Sequence, residues 1–156
     1  MTELEGSYIN EADAQTYFTG DPRSTTAFIS AIAWYLKRAT KTIDALPLKG
    51  HKYMLDGSQE RQFPREYRDG YDWDEGTGVI EVPESVLDAC CEEALGIYLR
   101  WNSQRLQNQR EGVVSQSIAG SSETYAPGAT DRYRGMMSKD AYDLISSHIA
   151  RSFPIT

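Results

Sequence analysis

Long apolar runs are missing from this chain. No stretch approaches the roughly 18 apolar residues of a membrane span, and a negative mean hydropathy fits a soluble protein with a modest core. The segment MTELEGSY lacks the basic-then-apolar build of a signal peptide, so synthesis and residence in a cytosolic setting, or in something assembled there, are expected. Cysteine is scarce: Cys90 and Cys91 are the only two, and they are adjacent. Neighbours on a helix point about 100° apart, which disfavours a bridge and leaves two free, buried thiols. Histidine is scarcer in effect, because His51 and His148 have no cysteine or carboxylate at a diagnostic spacing. No P-loop, dinucleotide fingerprint, zinc spacing or serine-hydrolase elbow occurs. Ser115, Ser117, Ser121 and Ser122 read as strand and turn residues, and the pair Glu92–Glu93 reads as ordinary helix surface. No catalytic residue, metal or cofactor is therefore expected. Positive charge is also short, with 16 Lys and Arg against 23 Asp and Glu and a net charge of −7. That balance argues against a protein whose main task is gripping phosphates.

One acidic run tempts a calcium reading, DGYDWDEG. Calcium loops need oxygen ligands at alternate places, a glycine at the sixth and a glutamate at the twelfth. Counted from Asp72, those places hold Thr77 and Pro83, so the spacing fails.

What is present is helical periodicity. Pro83 to Gln109 is the longest segment with a single interpretation. Pro83 suits a first turn, Glu84 and Asp88 sit at the positive end of the helix dipole, and Arg100, Arg105 and Arg110 lie towards the negative end. Val86, Cys90, Ala94, Ile97 and Trp101 form an apolar stripe, beside which Leu87, Cys91 and Tyr98 run in parallel. The remainder, Asn102 to Arg110, is polar and must meet water or another chain. A second long helix is expected from Thr26 to Leu46, with Phe28, Ile32, Leu36, Ala39, Ile43 and Leu46 on its buried side and Lys37, Arg38, Lys41 and Asp44 elsewhere. The two stripes should bury each other. The core is thus assigned to Phe28, Ile32, Leu36, Ile43, Val86, Cys90, Ile97 and Trp101.

Shorter pieces complete the chain. Asn10 caps a helix over EADAQTYF that Gly20 ends. Residues 50–82 carry turn signals around KYML, RQFPREY and VIEV, and read as a long loop or β-hairpin arm. Residues 113–125 alternate with period two, as a lone strand that must pair with the arm or with another subunit. Ser138 caps a last helix reaching Phe153, with His148 beside its apolar stripe as a packing or surface residue. The expected fold is mainly α: a small bundle of three to four helices, two of them long, in one domain over 1–156. Its parts are N-terminal helices at 7–49, the arm at 50–82, a central helix at 83–110, the strand at 113–125 and a C-terminal helix at 138–153.

Charge is unevenly spread. From Glu66 to Glu93 ten acids face Arg68 alone, whereas from Ala94 to Lys139 six cations face three acids. Such polarity serves either self-association of opposite faces or plain solvation.

The order SYINEADAQTYF, IDALPLKG, FPR, VPESVLDACCEEAL, VVSQSIAGSSETY and DLISSHIA resembles the head–tail connector (adaptor, head-completion) proteins of tailed bacteriophages. Members of the same group are sometimes labelled DnaT-like single-stranded-DNA-binding proteins. The resemblance spans Ser7 to Phe153; the long polar end of the third helix and the aromatic Gly70–Trp73 depart from it. It implies a structural virion protein of the phage neck, made in the host cytoplasm, with no catalytic activity. It further implies a homo-oligomeric ring, typically of twelve copies, that joins the portal protein to a head-closure or tail component and lets double-stranded DNA pass. On that reading Arg100, Arg105, Arg110, Val114, Gln116, Ile118, Tyr125, Arg132 and Arg134 would form subunit or portal contacts. Phe63, Pro64, Arg65, Tyr71 and Trp73 would be contacts of the arm. The rival is a single-stranded-DNA-binding replication protein, which needs a basic groove with stacking aromatics. Arg61, Phe63, Arg65, Tyr67 and Arg68 are the best local candidate for it.

Overall fold

The computed structural model describes residues 6–54, 57–67, 70–71, 80–101, 115–118, 121–124 and 135–150. The protein is a small, mainly helical bundle with two longer helices, a short antiparallel hairpin and a C-terminal helix. Helix α1 is Glu11–Tyr17, capped by Asn10, whose side chain accepts the Asp13 N–H at 2.8 Å. Helix α2, Thr26–Ser30, is capped by Thr25, whose Oγ1 accepts the Phe28 N–H at 3.2 Å.

The single helix expected from Thr26 to Leu46 is in fact two. At Ala31 (φ −116°, ψ 12°) the chain leaves helical geometry, and α3 runs Ile32–Asp44. The Ala31 N–H turns back to the Phe28 carbonyl at 3.1 Å, closing α2. A one-residue break does not disturb the spacing of Phe28, Ile32 and Leu36, so periodicity alone passes over it.

Helix α4, Glu84–Trp101, starts from Pro83, whose carbonyl receives the N–H groups of Val86 and Leu87. It runs antiparallel to α3: Trp34 lies by Trp101, Tyr35 by Tyr98, and Thr40 bonds to Cys90 at 3.4 Å. Phe28, Ile32, Leu36, Ile43, Val86 and Cys90 are fully enclosed between them, and Ile97 is buried. Trp101 is not part of this core. It is 50% exposed, because at the last turn of α4 the neighbouring element is the open start of α3.

The acids Glu92 and Glu93 are buried as well, against the surface position expected of them. Helix α4 is covered on three sides, so the face opposite its apolar stripe is also interior. Helix α5, Lys139–Ile145, packs there with Ser138 as its cap. Gly96 makes this approach possible, since a Cβ would come within 2.8 Å of the Ser138 Cβ. Helix α5 stops at Ile145, short of the expected Phe153. A 3₁₀ turn, Ser146–His148, follows, and Ile149 pairs with Leu48. The Ala150 N–H reaches the Pro47 carbonyl at 2.7 Å and the Lys49 N–H reaches the His148 carbonyl at 2.8 Å. These partners require extended backbone, which ends the helix.

The arm contains a three-stranded antiparallel sheet, β1 (His51–Lys52), β2 (Arg65–Tyr67) and β3 (Gly70–Tyr71), in that order. The strand expected to stand alone at 113–125 is a hairpin, β4 (Ser115–Ile118) against β5 (Ser121–Thr124), with Ile118 opposite Ser121. Only two residues lie between the end of β4 and the start of β5, a spacing typical of a hairpin. The partner is thus the next strand along the chain, its paired residues three to nine positions away in sequence, and not the arm. No helix among the described residues is long and apolar enough to cross a membrane.

Thr25 holds two roles, capping α2 and bonding the Tyr98 hydroxyl at 2.8 Å. Thr25→Ala is expected to cost about 1 kcal/mol of stability, read from urea unfolding; Thr25→Ser should recover most of it.

Candidate nucleic-acid interface

Several polar clusters inside the protein are spent on the fold. Glu92 accepts from both terminal guanidinium nitrogens of Arg23, at 2.8 and 3.1 Å, and from the Tyr17 hydroxyl at 3.1 Å. Burial, helped by the Glu92 charge, pushes the Tyr17 hydroxyl well above its usual range. The Glu93 carboxylate accepts the backbone N–H groups of Met137 and Ser138 at 2.9 Å, anchoring the entry to α5. Burial outweighs those bonds and the nearby Arg100, and raises Glu93 to about 7. Tyr8 donates to Asp44 and accepts the Gln62 and Phe63 N–H groups at 3.2 and 3.3 Å, pinning the arm to α3. His148 bonds Tyr67 at 3.0 Å and Ser85 at 3.1 Å, and stands edge-on to Phe63. Burial lifts Cys90 to about 11 and Cys91 further, so both are protonated thiols at neutral pH. Among the described residues no group of three or more His, Cys, Asp or Glu is placed to hold a metal ion.

The arm residues expected to face outward include two that do not. Phe63 is 2% exposed, wedged edge-on against Tyr8 at 5.9 Å. Arg65 is 5% exposed, and its guanidinium donates to the Lys49 and Gly50 carbonyls at 2.6 Å and to the Gln62 side chain at 2.7 Å. A guanidinium committed to buried carbonyls cannot hold a phosphate, because leaving those acceptors unmet would carry the full desolvation penalty. The stacking groove suggested by Arg61, Phe63, Arg65, Tyr67 and Arg68 therefore does not form: Phe63 and Arg65 are inside, Tyr67 is held by His148, and Arg68 lies outside the described residues. Pro64 is half-buried beside them.

The other expected contact residues are scattered. Arg100 rests against the Met137 sulfur at 3.3 Å, on the α5 side of α4. Gln116 and Ile118 lie on β4, opposite Glu123 and Ser121, and Tyr71 lies on β3, opposite Glu66. Trp73, Arg105, Arg110, Val114, Tyr125, Arg132 and Arg134 lie outside the described residues.

A different surface does bring aromatics and cations together. Trp34, on the outer face of α3, is 50% exposed and stands edge-to-face with the equally exposed Trp101, ring centroids 6.2 Å apart at 70°. Tyr35 and Tyr98 support them from behind, 5.5 Å apart at 83°, and both rest on the buried Phe28. The Arg38 guanidinium is 6.0 Å from the centroid of the Trp34 ring. Lys37, Arg38 and Lys41 are all exposed on the same helix, three, four and seven residues past Trp34, so they share its side. No Asp or Glu occurs between Thr25 and Ile43, or between Ala94 and Arg110. The face is locally cationic on a chain of net charge −7.

Trp34 and its basic neighbours were legible only in part. The signal was a tryptophan midway between Ile32 and Leu36, hence off their stripe, four residues before an arginine, in a helix with a single acid at its end. Trp101 was hidden because it continues an apolar stripe that α3 does not cover at that level.

An exposed aromatic pair beside cations on a small helical bundle defines a surface suited to planar, anionic ligands. A family model described as "Putative DnaT-like ssDNA binding protein" matches residues 4–152, and the chain belongs to this family. No curated protein matches the chain, and no solved structure does. The family match overturns the reading of a phage-neck protein that forms a portal-binding ring within the virion: the order of motifs is carried by a group whose description is single-stranded-DNA binding. The family description also runs against the argument drawn from net charge. Net charge sums the whole surface, whereas a strand is held by one face, and the acids lie mostly elsewhere.

Proposed function

We propose that this protein binds single-stranded DNA without sequence recognition, through the Trp34–Trp101 face of α3 and α4. The observation that carries the reading is the pair of half-exposed tryptophans beside Lys37, Arg38 and Lys41. Unpaired bases stack on aromatic faces whatever their sequence, and the cations hold the phosphates that follow. From Trp34 to Lys41 the helix rises about 10 Å, room for a short run of nucleotides. A duplex keeps its bases inside and offers nothing to the two rings. The family description points the same way.

The reading is tested by titrating the protein with a thymidine oligonucleotide and following tryptophan fluorescence. Quenching that saturates, and that a duplex of equal length does not produce, is the expected result. Three phosphate contacts would give a slope of log K on log salt of roughly −2. Arg38→Ala should weaken binding severalfold and reduce that slope by about 0.7. A salt-independent affinity, or equal affinity for duplex, would sink the proposal.

A further inference from the structure

On the opposite end of α4 lies a cleft that the DNA-binding reading does not use. It encloses about 290 Å³ between α1 and the first turns of α4, with walls that include Ile9, Tyr17 and Leu87 and carboxylates from Asp13, Glu84 and Asp88. Glu84, Asp88 and Glu92 stand one turn apart along the same side of α4. Glu92 is answered by Arg23 and Tyr17. Asp13 is held by the Asn10 side chain at 2.7 Å. Asp88 is half-buried and Glu84 exposed, and among the described residues neither has a hydrogen bond or ion pair. Burial and the charges of Glu84 and Glu92 raise the Asp88 carboxyl above its ordinary value.

We infer that this cleft receives an arginine side chain from an extended segment of a partner protein. The occupant must be cationic at its tip, to answer Asp88 and Glu84, and apolar along its stem, to cover Leu87 and Ile9. Arginine has both properties, and its planar fork matches a carboxylate better than an ammonium does. The fold itself supplies the precedent: one turn along α4, the next acid of the row is gripped by an arginine lying beside Tyr17. Nucleic acid is excluded as occupant, because its phosphates would meet three carboxylates. The thirteen residues from Asp88 to Trp101 separate cleft and platform by about 20 Å, so a peptide and a DNA strand can be held together.

The test uses the full chain and a fluorescein-labelled glycine-leucine peptide carrying two arginines, compared with the same peptide carrying citrulline. Saturable binding of the arginine peptide is expected, weakened about tenfold or more by citrulline or by Asp88→Asn. Amide shifts of Ile9 and Leu87 should accompany it, and thymidine oligonucleotide should not compete. Circular dichroism of Asp88→Asn is expected to match the wild type, since the carboxylate supports no bond in the fold. Glu60→Gln, an acid outside the cleft, controls for bulk charge and should bind as the wild type does. Equal affinity for both peptides, or for wild type and Asp88→Asn, would overturn the inference. So would self-association abolished by Asp88→Asn in a protein that ignores the peptide, which would assign the cleft to a second copy of the chain.

Discussion

Replacing Trp34 and Trp101 together by alanine is expected to remove most single-strand binding while leaving the fold intact. Base–aromatic stacking is worth roughly 1–3 kcal/mol per base, so two lost platforms cost roughly 2–6 kcal/mol, a loss of about thirtyfold or more. Both rings are half exposed, and the aromatic pair behind them, Tyr35 and Tyr98, remains seated on Phe28. The stability change should therefore be small beside the binding change. Trp34→Phe separates stacking from simple bulk, since phenylalanine keeps a π-face for the base and should retain much of the affinity. Anisotropy of a labelled thymidine oligonucleotide gives the binding curves, and thermal melts check the fold. If the double alanine variant binds as tightly as the parent, the site lies elsewhere on the chain.

The second large effect is on stability, and it depends on pH. Glu93 is fully buried and its carboxyl is raised from 4.5 to about 7, chiefly by burial. In the unfolded chain it ionises at its ordinary value, so between those two pH values the native state binds the extra proton. Stability from this group is fully present below about 4.5 and is lost as pH rises through about 7. The shift corresponds to on the order of 3 kcal/mol. Asp44 and Asp88 are raised too, by burial first, and act with the same sign. Glu93→Gln removes the titration and should flatten the decline of the thermal midpoint between acid and neutral pH. The amide still offers an oxygen to the Met137 and Ser138 N–H groups, so α5 stays docked. An unchanged pH profile in that variant would place the titrating group elsewhere.

These two sites show how differently the sequence speaks about fold and function. The stripes Phe28–Ile43 and Val86–Ile97 are readable because helical burial imposes a period of three and four on residue type. The caps Asn10 and Ser138 are readable because a short oxygen side chain before an apolar run has one common use. Arg65 misleads for the opposite reason. A charged residue in a polar loop looks solvated, and only the convergence of the Lys49 and Gly50 carbonyls turns it inward.

By itself, then, the sequence determined that the protein is a small helical bundle, where α1, α2, α4 and α5 begin, and that its thiols are core. Those properties are local, set by spacing, capping and the transfer of apolar side chains out of water. Tertiary structure alone decided that Glu92 and Glu93 are interior, that Trp101 is surface, and that Trp34 and Trp101 meet. Each depends on which neighbour covers a helix face, and at what height. Packing α3 antiparallel on α4 joins residues 67 positions apart in the sequence, a distance that no periodic pattern records.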